Sequence, residues 1–366
     1  MEVQSSSWWL TGLDWAVDSR QGHLMGISQE APGRKVILSV AALIFLWGLF
    51  GLVDSRNIPY GGFQWNHPDH VVLVEEGGPA DQAGMHVGDR IIVREGIPVR
   101  DSRTLARQPR AKVGEARTFV VERTSAVTGQ SVTDTLSIAF AAEPGPDVAR
   151  RVIGAGIGLV FLLCGILAYF RVPSLMSLLF CVVGLCFGAV MLPAPYLSTF
   201  RLRASMELIG ILVALTGLAS LLHFLLVFPK RKKMLEQRGR EKLVYVPAAL
   251  VGLMATLSII LGPDNEGRWI VVGFFLVFLV LGYLVASVLA IIHTFLKARS
   301  EERSRFGLNF ILWSIMIGLV PVALNVVLGN IAPRVSVPAA DFFLVTIILI
   351  PVAFARALVK SGPVPG

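Results

Sequence analysis

The chain has 366 residues, of which 54% are hydrophobic and only 16% charged, with a mean hydropathy of +0.67. That balance excludes an ordinary soluble globular protein and marks an integral membrane protein. The formal net charge of +8 does not point to nucleic acid, because many basic residues sit in short loops beside apolar runs, where they set membrane orientation.

Residues 1–35 carry a tryptophan-rich patch, Trp8, Trp9, Leu10, Leu13, Trp15 and Val17. It suits a helix lying on a membrane surface and an unstructured tail about equally. Residues 36–53 form the first uncharged run, about 18 residues long, enough to cross a hydrocarbon core at about 1.5 Å per residue. No small-residue cleavage pattern follows it before Asp54, so it is expected to remain as an anchor. Arg34 and Lys35 precede it and favour an inside N-terminus, which puts the next segment outside.

Residues 54–148 hold nearly all the strand-like sequence, about 90 residues, the size of one small β-rich domain. Within it, residues 71–99 (VVLVEEGGPADQAGMHVGDRIIVREGIPV) read as an alternating strand, a turn at Gly77, Gly78 and Pro79, a short helix over Ala80 to Ala83, a turn at Gly84 and a second strand. Residues 118–122 and 133–140 read as further strands across a turn at 125–129. EPGPDVAR, residues 143–150, reads as a closing linker.

Beyond it, apolar runs at 152–170, 175–192, 206–228, 243–261, 269–292, 308–328 and 341–358 form a seven-helix membrane bundle over 149–360, with a short tail at 361–366. The expected fold class is therefore an α-helical polytopic membrane protein, with about eight transmembrane helices and one inserted β-rich domain. Loop charge tests the count. With the N-terminus inside, the inside loops and tail carry Arg171, Lys230, Arg231, Lys232, Lys233, Arg238, Arg240, Lys242, Lys297, Arg299, Arg303, Arg305, Arg356 and Lys360, against Arg201, Arg203, Arg268 and Arg334 in the short outside loops. That asymmetry supports an N-in, C-in plasma-membrane topology with the β-rich domain outside.

Cys164, Cys181 and Cys186 all fall in apolar runs, which reads as small buried hydrophobes rather than a disulfide or zinc framework. The six histidines offer no HExxH pair, and GxSxG, GxxxxGK[ST] and GxGxxG are absent, so neither an enzyme nor a cofactor or metal is expected. Polar residues inside the runs are few: Glu207, His223, Asn309 and Asn325. Of these, His223 reads first as a hydrogen-bonding partner for a neighbouring helix and second as a proton-sensitive group. The basic loop at 230–242 reads as a topology determinant in contact with anionic lipid, with a docking surface for a cytoplasmic partner as the other reading.

The words GGPADQAGMHVGDRI and EGIPV resemble the centre of a PDZ domain, and the likeness covers about residues 60–140. The resemblance implies that Tyr60, Gly61, Gly62 and Phe63 form a glycine-rich loop whose N–H groups meet a peptide's terminal carboxylate. It further implies that a following strand pairs with the peptide, placing Val71 and Leu73 at the binding surface. A groove-lining helix is expected to start at Asp101 or Ser102 and to carry Leu105. Gly78, Pro79, Ala80, Gly84, Gly88 and Asp89 take structural roles in the turn. The sequence departs from the family in having Gly62 at the loop's third position, where a larger apolar residue is usual, and in the HPDH segment that follows.

The helical half carries a second likeness. LHFLLVFP (222–229), EERSRFGLNFILWSIMIGLVP (301–321) and IPVAFARA (350–357) resemble the membrane input region of ComP-type bacterial sensor histidine kinases, in which an extracytoplasmic PDZ-like domain also follows the first helix. No phosphoacceptor-histidine helix or ATP-binding domain follows within the 366 residues. The resemblance therefore implies a receptor-like sensor that binds a peptide or protein C-terminus outside and relays either to a separate cytoplasmic kinase, phosphatase or response regulator, or through an output half that this chain has lost or been cut from. The alternative is a membrane-anchored PDZ adaptor that recruits an envelope protein such as a protease.

Overall fold

The computed structural model describes residues 32–66, 69–124, 130–235, 237, 239–261, 266–331 and 344–361. The tryptophan patch, the turn at 125–129 and the tail from residue 362 lie outside them. The chain is mostly helical, with a small β-sheet unit inserted between its first two long helices.

Helix α1 (Pro32–Asp54) leads into that unit, and α4 (Gly145–Arg171) leads out of it. The Arg34 guanidinium lies over the Phe170 ring, 5.3 Å from its centroid. The start of α1 and the end of α4 are therefore neighbours at the pole of the bundle opposite the sheet.

Among the described residues, four helices are long and apolar enough to cross a membrane, at Gly33–Asn57, Gly145–Arg171, Phe200–Val227 and Ile270–Lys297. Shorter apolar helices run over Leu175–Met191, Val246–Leu261 and Leu308–Gly318. Large apolar side chains such as Leu43, Phe278 and Leu296 are exposed on these helices, as a hydrocarbon solvent permits.

The sheet unit opens with β1 (Pro59–Tyr60), β2 (Phe63–Asn66) and β3 (His70–Val74) and continues through the short helix α2 (Pro79–Gln82). Next come β4 (Arg90–Arg94), β5 (Ile97–Pro98) and helix α3 (Ser102–Arg107), then β6 (Ala116–Thr124), β7 (Ser131–Ala139) and β8 (Ala141–Ala142). The main sheet is antiparallel in the order β2-β3-β4-β6-β7, with β5 on β4, while β1 pairs with β8 beside it. Its core joins Val71, Ala80, Met85, Ile91, Phe119, Val121, Leu136 and Ile138. Phe63 adds an edge-to-face contact on Phe119, with centroids 5.5 Å apart, a favoured aromatic geometry.

EPGPDVAR is not a linker. α4 begins at Gly145 with Pro146 in its first turn, where a proline's missing N–H is one the helix would leave unbonded anyway. Asp147 sits in the same turn and pairs with Arg150 at 3.1 Å, and Glu143 pairs with Arg151 at 2.6 Å. The exit from the sheet unit is thus helical from its first residues.

Helix α5 (Leu175–Met191) turns back on α4 through a cap in which Ser174 Oγ accepts from the Ser177 N–H and Ser177 Oγ from the Ser174 N–H. The two helices meet through Gly158, Gly165, Gly184 and Gly188. A Cβ on Gly184 would lie 2.5 Å from the Phe161 carbonyl oxygen. Small residues at this spacing let helix backbones approach closely, which drives association where lipid removes the hydrophobic difference.

The chain then passes through α6 (Phe200–Val227), α7 (Arg240–Leu243), α8 (Val246–Leu261), α9 (Glu266–Lys297), α10 (Ser300–Phe306), α11 (Leu308–Ile331) and α12 (Leu349–Ser361). In the basic loop after α6, Leu235 is buried with the ends of α6 and α9 and with α12.

Candidate functional site

The glycine-rich loop is held by its carbonyls. Gly61 O accepts from the Ala80 N–H at 3.0 Å and Gly62 O from the Glu75 N–H at 2.8 Å. A trans peptide points its N–H opposite its C=O. The N–H groups of Gly62 and Phe63 are therefore both directed away from the 75–80 turn, two successive donors aimed at one side.

The glycines make this arrangement possible. Gly62 has φ +72°, and a Cβ there would sit 3.0 Å from Pro79 Cδ. At Gly61 a Cβ would meet the Phe63 ring at 2.8 Å and the Phe140 ring at 3.0 Å. The Tyr60 hydroxyl bonds the Glu75 carboxylate, tying the loop to the turn. Burial, followed by this bond, pushes the phenol up to about 12.

Strand β2 runs on from the loop. It pairs with β3 and lies at the end of the sheet order, and Gln64, Trp65 and Asn66 along it are exposed. An unpaired edge is a template for an added strand.

This corrects the placement of Val71. Val71 is packed in the core, 1% exposed, and β3 already pairs with β2 on one side and β4 on the other. Leu73, opposite Gln64 in register, is 40% exposed and remains on an accessible face, but the open backbone belongs to β2. The sequence offered only FQWN for that strand, too short to show a period; its signal was position, directly after the glycines.

α3 is capped as its sequence suggests, with Asp101 Oδ1 accepting from the Thr104 N–H at 3.1 Å, and it carries half-buried Leu105. Gly78 N-caps α2, Pro79 opens that helix and Ala80 is buried beneath the loop. Gly84 and Gly88 supply left-handed turns at φ +83° and +95°.

Asp89, 2% exposed, accepts from the His86 N–H at 2.8 Å. Both its oxygens also take bonds from Arg123, Nε to Oδ1 at 2.7 Å and Nη2 to Oδ2 at 2.8 Å, while Nη2 reaches Gly84 O at 2.8 Å. Burial alone would raise the Asp89 carboxyl, but the Arg123 bonds and the His86 N–H outweigh it and hold the group below its ordinary value. A depressed carboxyl stabilises the fold above the unfolded value of about 3.9 and stops doing so as pH falls through the folded value. Asp89→Asn should therefore cost about 2 kcal/mol at neutral pH, with the gap to the parent closing in acid. Hydrogen exchange at the Ile91 and Val121 amides of the full chain measures it, and a gap that stays constant with pH would contradict the charge assignment.

The sheet unit also rests on the loop between α5 and α6, a contact that sequence reading missed. The Tyr196 N–H donates to Asp54 Oδ2 at 2.6 Å, and its hydroxyl donates to Ala111 O at 2.5 Å. The Arg110 N–H donates to Ser198 O at 3.3 Å, its guanidinium lies 5.9 Å from the Tyr196 ring centre, and it approaches Glu207 at 3.9 Å. Glu207 thus works at this contact from the first turns of α6. No periodicity announces a loop residue such as Tyr196; only an acidic residue at a helix end hinted at a partner.

At the opposite pole, the three words that resemble sensor input regions converge. Phe224 and Phe228 of the first meet Phe306 of the second and Phe354 of the third, with ring centres 5.3 to 5.9 Å apart. His223 sits nearby, 8% exposed, with Nδ1 3.1 Å from the Tyr245 hydroxyl, a contact that ties α6 to the start of α8. Asn325's side chain lies outside what is described.

Compared with known proteins, the chain matches no family model, no curated protein and no solved structure.

Proposed function

We propose that this protein is a bacterial inner-membrane receptor-like signalling protein. It binds the free C-terminus of an extracytoplasmic peptide or protein and relays binding to a cytoplasmic kinase, phosphatase or response regulator. The observation that carries the reading is the pair of aligned N–H groups at Gly62 and Phe63 beside the open edge of β2, which together suit a carboxylate followed by an extended chain. The likeness to PDZ domains and to ComP-type input regions supports the same assignment.

The membrane arrangement proposed with it has eight spans, both termini inside and the sheet unit outside. A 17-residue helix such as Leu175–Met191 spans about 25 Å at 1.5 Å per residue, close to the core thickness of about 30 Å. The cluster of basic loops at the pole away from the sheet supports that orientation.

Relay is favoured over a passive adaptor by the Tyr196 contact. α1 and α4 tether the sheet unit, and the 193–199 loop gives it a third footing connected to α5 and α6. A ligand that prefers one docking geometry would bias those helices, provided that it binds the two geometries with different affinity.

The test uses the full chain in nanodiscs, with hydrogen exchange read across the molecule. A peptide library with free C-termini should give saturable binding, lost on C-terminal amidation, with altered exchange at both 61–66 and 193–199. Equal binding of amidated peptides would refute carboxylate capture. Change confined to 61–66 would leave the adaptor reading in its place.

A further inference from the structure

We propose that the cavity at the pole opposite the sheet, between the end of α6, the last turns of α9 and α10, binds the phosphate group of an anionic phospholipid. The cavity measures about 490 Å³. Its wall includes Lys230, Arg231, Lys232, His293, Lys297 and, as the single carboxylate among the described residues, Glu302.

The charges do not cancel. Lys230 pairs with Glu302, and Arg231 pairs with Glu241 at 3.0 Å. Lys232 and Lys297 have no carboxylate partner among the described residues. Lys232, which lines the cavity, instead donates to Ala290 O at 2.6 Å, and among the described residues its ammonium keeps two further protons for a ligand. Burial lowers its pKa, a penalty that an anion would relieve.

The surroundings distinguish a lipid from a free phosphate. Leu226, Pro229 and Ala298 give the cavity an apolar side. Ile292 and Leu296, on the same turns of α9 as His293, are 40% and 70% exposed, an apolar track along which acyl chains can lie. A basic pocket between membrane helices that opens onto an apolar helix face is the arrangement that recognises lipid headgroup phosphates. The cavity shares Leu226 with the buried cluster that holds Phe224, Phe228, Phe306 and Phe354, so headgroup binding bears on the packing of α6, α10 and α12.

The experiment compares the full chain purified in nanodiscs of phosphatidylcholine alone and of phosphatidylcholine with phosphatidylglycerol or cardiolipin. Retained lipid is read by native mass spectrometry, with inorganic phosphate and glycerol phosphate as soluble competitors. The anionic lipid should be retained and not displaced by the soluble phosphates. Lys297→Gln and Lys232→Gln should each weaken retention about fivefold, and about 25-fold together. Lys297→Gln removes no side-chain hydrogen bond or ion pair among the described residues, so it reports on binding even if Lys232→Gln disturbs the fold. Lys242→Gln, outside the cavity, should change nothing. Displacement by inorganic phosphate would overturn the lipid assignment, as would undiminished retention in Lys297→Gln or an equal loss in Lys242→Gln.

Discussion

Replacing Gly62 by valine should abolish recognition of a free C-terminus, lowering affinity more than about tenfold, while leaving the helical bundle intact. Its φ of +72° lies in the left-handed region, which costs an L-residue about 1–2 kcal/mol and a β-branched one more. The new Cβ would also press on Pro79 Cδ at 3.0 Å and Gly78 Cα at 3.2 Å. The loop can relieve both strains only by rotating the peptide between Gly62 and Phe63, which turns the Phe63 N–H away from the ligand side. Gly77→Ala is the matching control, because Gly77 has φ +71° and open space around its Cβ. It should lower stability by about 1 kcal/mol and leave binding unchanged. Titration of both variants in nanodiscs with a labelled peptide decides the matter. Equal losses would mean that general destabilisation, not donor geometry, governs binding.

That contrast depends on information the sequence carries unevenly. The long apolar runs were legible because membrane spanning demands length and composition together, and both survive without knowledge of neighbours. The strands around Val71 and Thr118 and the cap at Asp101 were legible for similar local reasons. Harder is Pro146, which has one meaning inside a helix and another in its first turn, so EPGPDVAR reads as a linker in sequence although it opens a helix. Val71 was misplaced because whether a strand lies at an edge depends on sheet order, a nonlocal property. Tyr196 was invisible for the same reason: its partners, Asp54 and Ala111, are 142 and 85 residues away. The aromatic words are recognisable one by one, yet their meeting as Phe224, Phe228, Phe306 and Phe354 follows only from how three separate helices, α6, α10 and α12, pack.

Gly184→Leu should be the most disruptive change in the helical half. At this position the Cβ alone would stand 2.5 Å from the Phe161 carbonyl oxygen and 3.2 Å from Gly165 Cα. Both obstacles are backbone, so no rotamer change relieves them and α4 must move off α5. Overpacking of this kind costs about 3 kcal/mol, roughly 4 °C in a chain of this size, read as the loss of secondary structure on heating in detergent. Gly210→Leu on α6 supplies the comparison, since nothing lies within 4 Å of a Cβ there, and it should be neutral or slightly stabilising because leucine is the better helix former. The consequence reaches the sheet unit: α4 leaves it directly, and α5 leads into the loop on which Tyr196 meets Asp54 and Ala111. If the helices relay binding, Gly184→Ala, which brings the same Cβ clash without the further bulk of leucine, should retain peptide affinity while losing the exchange response at 193–199. Retention of both would place the relay elsewhere than the α4–α5 interface.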